Sequence, residues 1–143
     1  MDDHELLKQF ENCTFPFEQW KHRTHVRIAF LYLRDDSFEM ALEKIRSGIK
    51  NYNAANNVPE GPFQGYNETT THAFLHLVQA TRLAYQDVYP TPDSETFCET
   101  HPHLLSKHVL RLFYSPERRS RPEAKTRFVE PDLAPLPQFK RAP

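Results

Sequence analysis

The chain has 143 residues, of which 38% are hydrophobic, so it is long enough for one domain with a buried core and too short for two. Its 18 basic and 19 acidic residues give a net charge of -1, which excludes a protein that attracts nucleic acid or anionic lipid by overall charge. Because no apolar run reaches the ~18 residues of a membrane span, no signal-peptide pattern opens the chain and its cysteines form no paired motif, we expect a soluble cytoplasmic protein without a membrane partner.

Helical periodicity accounts for most of the chain up to residue 114. A short capped helix is predicted over residues 2–10, and the uninterrupted segment 17–33 is apolar on nearly every side in its second half, which is typical of a central buried helix. An amphipathic helix follows over 38–52, and the many asparagines, prolines and glycines of 51–65 predict a loop. Three more helices are predicted, over 66–87, 94–100 and 103–114.

The C-terminal part of the chain differs in composition. The prolines within 130–137 forbid a regular helix, so this segment is predicted to be extended. We therefore predict an all-α fold, a compact bundle of four main helices plus short helices over residues 1–128. Residues 129–143 are predicted to form an extended proline-rich tail that packs on the domain as a strap, covering a cavity near His22, or stays flexible.

Five basic side chains lie between residues 118 and 127. They could bind a phosphate or a carboxylate. Glu117 and Glu123 lie among them, which favours instead a solvated segment whose charges pair with acids on the body. The five are Arg118, Arg119, Arg121, Lys125 and Arg127.

Two histidines lie on the helix predicted over 17–33. His22 and His25 are three residues apart, so they project from the same side about one turn apart. Val26 and Ala29 share that face, which places both imidazoles against the core. Two adjacent buried imidazoles are costly to protonate together, and each ring nitrogen needs a partner. A bound metal ion meets this requirement, and so does an ordinary hydrogen-bond network.

A second polar cluster opens the helix predicted over 66–87. Asn67 is a good N-cap for this helix. On a helical wheel Glu68 lies with His72 and His76 opposite the apolar side, which favours a solvated Glu68 and a surface pair of histidines. A first-turn residue can still reach across an interface, and a carboxylate there gains from the helix dipole. The orientation of Glu68 is therefore open.

An inward Glu68 would complete a set of two histidines and one carboxylate with His22 and His25. Such a set binds iron in oxygen chemistry and, with zinc, suits hydrolysis. Helical bundles build these sites from ligands at i and i+3 on one helix and a carboxylate on a facing one. An inward Glu68 would therefore imply a divalent metal, iron or zinc, as the cofactor, and otherwise no cofactor is expected.

Four short motifs occur in order along nearly the whole chain. They are W-x-H-x-x-H over 20–25, Y-N-E-T-x-T over 66–71, Y-S-x-E over 114–117 and V-E-P-D-L-x-P-L-P over 129–137. As a set they resemble a family of small bacterial helical proteins whose activity is not established. The resemblance implies a helical fold and a set of site residues, but no reaction.

The resemblance carries over to this chain with one departure. Where the family pattern has histidine, this chain has Asn67, and an amide oxygen is a poor ligand for zinc or iron. A histidine ligand at that position would therefore be lost here. The motif residues implied by the resemblance are Trp20, His22, His25, Tyr66, Glu68, Thr69 and Thr71.

The function predicted from these residues is a small metal-dependent enzyme, with non-haem iron oxygen chemistry slightly favoured over metal-assisted hydrolysis. His22, His25 and Glu68 would be the metal ligands, and His25 and Glu68 the catalytic groups. A small-molecule substrate would be bound by Trp20, Tyr66, Asn67 and Thr71.

Two alternatives to this function remain. The first is a non-enzymatic domain that binds a small ligand or a protein partner, with the histidines and threonines in a buried polar network. The second is a metal-free acid–base enzyme that uses His25 and Glu68. The loop 51–65 could serve a homodimer contact as well as a substrate gate.

Overall fold

The protein is a helical bundle in the computed structural model, which describes residues 1–139. The predicted all-α fold is confirmed. Within the described part of the chain, seven α-helices are joined by loops and by three short 3-10 helices, at Phe17–Gln19, Pro102–Leu105 and Val109–Leu112. The α-helices are α1 (Asp3–Glu11), α2 (His22–Asp35), α3 (Phe38–Ala55), α4 (Glu68–Tyr85), α5 (Ser94–Thr100), α6 (Pro116–Arg119) and α7 (Pro122–Thr126).

The helix α2 occupies the centre of the bundle. Every residue from 28 to 33 is buried. This half of the helix is apolar on all sides, so its side chains leave contact with water only when the helix is enclosed by other elements. The neighbours that enclose it are α1, α3, α4 and α5. The central buried helix predicted from the sequence is therefore confirmed for its second half.

The start of α2 differs from the prediction. The segment 17–33 was expected to be one helix, but Trp20 and Lys21 are extended, with φ of -76° and -128°, and α2 begins only at His22. The extended pair turns the chain so that the indole of Trp20 folds back onto α2. Its ring lies 4.3 Å from the ring of His25, measured between centroids.

Among residues 1–139, five α-helices begin at a polar side chain that accepts a backbone N–H three residues further on. This satisfies one of the N–H groups that the first turn of a helix leaves without a partner. The five N-caps are Asp2, Ser37, Asn67, Asp93 and Ser115.

The helix predicted over 103–114 is absent. Two 3-10 helices take its place, separated by Ser106 in an extended conformation. Leu104 and Leu110 are both fully buried, at 1% and 0% exposure, and the irregular backbone lets both reach the core. It also leaves the Leu104 carbonyl free to accept a hydrogen bond from another helix, which matters for the site described below.

The C-terminal strap, residues 129–139, packs along α4 and the segment before α6. Tyr114 donates its hydroxyl hydrogen to the Val129 carbonyl at 2.7 Å, and the Leu133 amide donates to the Phe113 carbonyl at 2.9 Å. None of the strap's described residues lines the cavity that contains His22, so the expected cover over that cavity is not formed by them. Residues 140–143, the last part of the predicted tail, lie outside the described residues.

Candidate functional site

A cavity of about 650 Å³ lies between α2, α3 and α4. Cavities of this size hold small organic molecules, and most of them are apolar with a few converging polar groups. Aromatic and aliphatic side chains make up most of the wall here. They include Phe10, Phe17, Trp20, Ile45, Ile49 and Phe74.

Both histidines predicted to face the core line this cavity. The ring centroids of His22 and His25 are 6.5 Å apart. His22 lies edge-on to Phe74 with a centroid distance of 4.7 Å, and His25 lies edge-on to Trp20. The pair one turn apart on the interior helix is thus placed as its spacing predicts.

The protonation of His22 follows from one hydrogen bond. Its Nε2 lies 2.8 Å from the Leu104 carbonyl oxygen, which only accepts, so Nε2 carries the proton. Burial lowers the pKa of His22, against the effect of this hydrogen bond, and the charge of Lys107 lowers it further. The imidazole is therefore neutral at pH 7, and its Nδ1 presents a lone pair.

His25 is held in the neutral form more strongly. Burial lowers the pKa of His25 to about 4, and the neighbouring His22 adds to the effect, while the Lys21 carbonyl opposes it. A neutral imidazole carries one N–H donor and one nitrogen lone pair, so one ring nitrogen of His25 is an acceptor. The cavity therefore contains two neutral imidazoles, each of which can accept one hydrogen bond or one proton.

The four predicted substrate-binding residues line the same cavity. They are Trp20 before α2 and Tyr66, Asn67 and Thr71 at the start of α4. Asn67 accepts the Thr70 amide hydrogen at 2.9 Å as the N-cap of α4, which also fixes its side chain against the cavity wall. Their location matches the prediction, while their roles toward a substrate stay predictions.

The turn before α4 is fixed by two charged side chains. Gly65 has a φ of +86°, a conformation that favours glycine, and a Cβ at this position would lie against the Glu60 carboxylate. Glu60 accepts the Tyr66 amide hydrogen at 3.1 Å. Lys125 donates to the carbonyls of Gln64 and Tyr66 at 2.9 and 2.6 Å. This anchoring sets where α4 presents Asn67 to the cavity.

Glu68 is buried, but the structure does not bring it to the imidazoles. Arg46 of α3 binds both carboxylate oxygens, with Nε at 2.8 Å from Oε1 and Nη2 at 2.7 Å from Oε2, and the Tyr66 hydroxyl donates to Oε1 at 2.8 Å. Burial opposes ionisation of Glu68, but the hydrogen bonds from Arg46 and Tyr66 outweigh it and hold the pKa of the carboxyl below its usual value. The solvated Glu68 favoured by the helical wheel is wrong, because the first turn of α4 faces Arg46.

The predicted metal set is accordingly not assembled. Glu68 lines a separate cavity with Arg46 and Lys50, whereas His22 and His25 line the main one. Among residues 1–139, no group of three or more His, Cys, Asp or Glu side chains is placed to hold a metal ion. The acid–base pair of His25 and Glu68 is likewise not brought together. A metal-dependent enzyme stays a prediction that rests on the two imidazoles alone.

The histidines predicted as a surface pair on α4 are covered by the C-terminal part of the chain. His72 stacks on Phe128 with ring centroids 4.0 Å apart. His76 donates from Nε2 to the Pro137 carbonyl at 2.6 Å, and its ring lies 4.6 Å from that of Phe139. Both histidines are partly exposed at the surface, as predicted, but the helical wheel contains no information on the chain that packs against them there.

Three side chains of the basic segment 118–127 have three different kinds of partner. Lys125 pairs with Glu60 at 3.1 Å, as expected of a segment that pairs with acids, and Arg118 donates to the Glu130 carbonyl at 2.8 Å. Arg119 instead lines the main cavity and donates from Nη2 to the Thr70 hydroxyl at 3.2 Å. It is one of the five basic residues that could bind an anion, but its place in the sequence does not distinguish it from its neighbours or predict that it lines the cavity.

Within residues 1–139, no helix combines the length and the apolarity that crossing a membrane requires. No protein-family model, curated protein or solved structure matches the chain, so its function is argued from the fold and the cavity alone.

Proposed function

We propose that the protein binds a small organic molecule in the cavity between α2, α3 and α4. One observation supports this most directly, namely that two neutral imidazoles line an apolar cavity of about 650 Å³. A ligand with an apolar body and a hydroxyl or N–H group matches this lining, because the body is buried among the aromatic rings and the donor meets a histidine lone pair.

The same arrangement suits acid–base chemistry on the bound molecule. A neutral imidazole with a fixed orientation is a competent general base when it lies within hydrogen-bond reach of the proton to be removed. The Leu104 carbonyl fixes the ring of His22 through a hydrogen bond, and the Trp20 indole packs against the ring of His25. Ligand binding is the step on which such an activity depends, so it is the step to test first.

The chain provides its own reporter for occupancy. Trp20 is its only tryptophan, and it lines the cavity in contact with His25 and with Tyr52, whose ring centroid lies 4.4 Å away. Any aromatic molecule in the cavity comes close to this indole. Its emission therefore reports binding without a label.

The first prediction concerns N-phenyl-1-naphthylamine, an uncharged aromatic amine with one N–H donor. We expect it to quench Trp20 with one-to-one saturation. In Ala29→Phe, which places a ring in the cavity that Ala29 lines, we expect the affinity to fall roughly tenfold or more, equivalent to about 1.4 kcal/mol. Fluorescence titration of the two proteins measures this.

The matched control is Ala54→Phe, which adds the same ring at an exposed position of α3 outside the cavity wall. Its affinity for the amine should equal that of the unchanged protein. Absence of saturable quenching, or equal binding by Ala29→Phe, would contradict the proposed function.

The metal-dependent enzyme is the second candidate. The observation in its favour is that the Leu104 carbonyl takes one nitrogen of the His22 imidazole, as the partners of metal-bound histidines commonly do. His22 and His25 would then be two ligands, and Glu68 would not be a third. Metal content of the protein purified without chelator, compared with that of His22→Ala, tests it.

A further inference from the structure

One wall of the main cavity is cationic. Lys107 and Arg119 contribute to it, and an adjoining cavity of about 340 Å³ shares Arg119 and adds Arg111 and Lys125. None of the described residues that line either cavity is Asp or Glu. A molecule that enters here therefore meets positive charge, although the chain as a whole has a net charge of -1.

Arg119 is more enclosed than Lys107 and Arg111. Lys107 and Arg111 are exposed, whereas Arg119 is partly buried. Burial and the charge of Arg111 lower the pKa of Arg119, and the nearby Tyr114 opposes this effect. The guanidinium nevertheless remains protonated at neutral pH.

Arg119 also has no counter-charge within the described part of the chain. Its side chain donates a hydrogen bond to the neutral hydroxyl of Thr70, and the ion pairs of residues 1–139 do not include it. A partly buried charge without a partner costs free energy that a bound anion would offset. In contrast, Arg46, the other partly buried arginine next to α4, is fully engaged by Glu68 and Glu43.

Two neutral groups beside Arg119 are suited to the same ligand. Asn67 and Thr70 line both cavities together with Arg119. The amide oxygen of Asn67 accepts the Thr70 amide hydrogen, so its NH₂ group is left as a donor. A guanidinium fork with an amide donor at its side matches the two oxygens of a planar carboxylate better than it matches a point charge.

We propose that the ligand of this cavity is an organic acid, whose carboxylate binds Arg119 with Asn67 beside it while its apolar body fills the aromatic part of the cavity. This proposal rests on the proposed function and specifies its ligand class. The neutral end of the acid then lies toward the imidazoles of His22 and His25, which line the same cavity.

The test compares an acid with its uncharged analogue. 3-Phenylpropanoate and 3-phenylpropanamide have the same body, and each is used to displace N-phenyl-1-naphthylamine from the protein. We expect the acid to displace the amine at a roughly tenfold lower concentration than the amide, since a charge-assisted hydrogen bond contributes about 1.4 kcal/mol or more. In Arg119→Met the two should displace it equally.

Two further variants complete the experiment. Arg121→Met removes an exposed arginine of the same segment that lines neither cavity, and it should keep the preference of the unchanged protein. Arg119→Lys keeps the charge and loses the fork, so it should reduce the preference at least threefold even if Arg119→Met does not fold. Circular dichroism establishes which variants are folded.

The outcomes separate this inference from the proposed function. If the amine binds but acid and amide displace it equally from the unchanged protein, the carboxylate site is overturned and ligand binding stands. An acid preference that survives in Arg119→Met and Arg119→Lys overturns the role of Arg119. If the amine does not bind at all, both proposals fail.

Discussion

Glu68 accepts hydrogen bonds from three donors at the interface of α3 and α4. Two of them come from Arg46 and one from Tyr66, and the side chains of Arg46 and Glu68 are only 29% and 10% exposed. Removing one partner of such a pair leaves the other charge buried and uncompensated, which costs more than the pair itself contributes. This geometry gives Glu68 a structural role in attaching α4 to α3.

The prediction at the residue scale is that Arg46→Met lowers the free energy of unfolding by roughly 2–3 kcal/mol at pH 7. This loss is smaller than the loss usual for a fully buried ion pair, because water reaches part of the Arg46 side chain. Glu68→Gln should cost less, since its amide oxygen still accepts from Tyr66. In the double variant, the loss in the free energy of unfolding should be about 1 kcal/mol smaller than the sum of the losses in the two single variants. Urea unfolding of the four proteins measures this.

The control for a purely structural role is ligand binding. Because Glu68 lines a different cavity from the imidazoles, Glu68→Gln should bind N-phenyl-1-naphthylamine as the unchanged protein does. Strict additivity of the two losses would contradict the ion-pair account. A large loss of binding in Glu68→Gln would indicate that Glu68 takes part in ligand binding.

Individual site residues differ in how far the sequence could locate them. The spacing of His22 and His25 fixes which face of a helix they share, so their common position was predictable. The partner of Glu68 lies 22 residues away, on another helix, and Arg119 lies 49 residues from the Thr70 hydroxyl that it contacts. Periodicity describes one helix at a time, and such contacts depend on how two helices pack.

At the scale of elements, the regular helices were the most predictable part and their junctions the least. The amphipathic stripe of α3 and the caps at Asp2, Ser37 and Asn67 are local signals, and the structure bears them out. The break before α2, at Trp20 and Lys21, and the break between the two 3-10 helices, at Ser106, contain neither proline nor glycine. There the burial of Trp20 and the two leucines over-rides the helical preference of the backbone.

The contact between α1 and α3 depends on the absence of a side chain at Gly48. A Cβ at this position would lie 2.5 and 2.6 Å from Cε2 and Cζ of Phe10, which is 1% exposed. The Phe10 ring cannot easily move, because it stacks on Trp20 at 5.5 Å and packs against Tyr52 at 6.2 Å.

The prediction at the element scale is that Gly48→Ala destabilises the protein, although alanine favours a helix over glycine by about 1 kcal/mol. Forcing a methyl group into a packed core costs roughly 1–3 kcal/mol, so we expect a net loss of about 1 kcal/mol. Thermal or urea unfolding measures it, and Ser47→Ala at the adjacent exposed position is the matched control. A gain in stability would show that the interface of α1 and α3 yields to the added methyl group.

At the scale of the whole molecule, burial of histidine links stability to pH. Three histidines have a pKa that burial lowers below the ordinary value of 6.5, namely His22, His25 and His101. The neighbouring His22 lowers the pKa of His25 further, and the neighbouring His103 does so for His101. Below pH 6.5 the unfolded chain gains protons at these positions that the folded protein does not accept. The folded state therefore loses stability as the pH falls through this range.

For His25, the relevant window runs from pH 6.5 down to about 4, the pKa in the folded protein. Because stability rises with pH wherever the unfolded state binds more protons, lowering the pH from 7 to 5 should cost the folded state roughly 2 kcal/mol through this residue alone. Urea unfolding at pH 7 and pH 5 measures the total loss. The chosen range lies above the ordinary pKa of carboxyl groups, so their titration contributes little.

The final prediction is that His25→Gln reduces this pH dependence by roughly 2 kcal/mol, because glutamine has no proton to gain in the unfolded chain. His4→Gln, at an exposed position of α1, controls for the substitution itself and should leave the difference between pH 7 and pH 5 close to that of the unchanged protein. If His25→Gln and the unchanged protein lose the same stability between the two pH values, the imidazole of His25 is not kept neutral by its surroundings. It would then take up a proton as readily as in the unfolded chain, and below pH 6.5 a charged group would replace the His25 lone pair that the proposed ligand contacts.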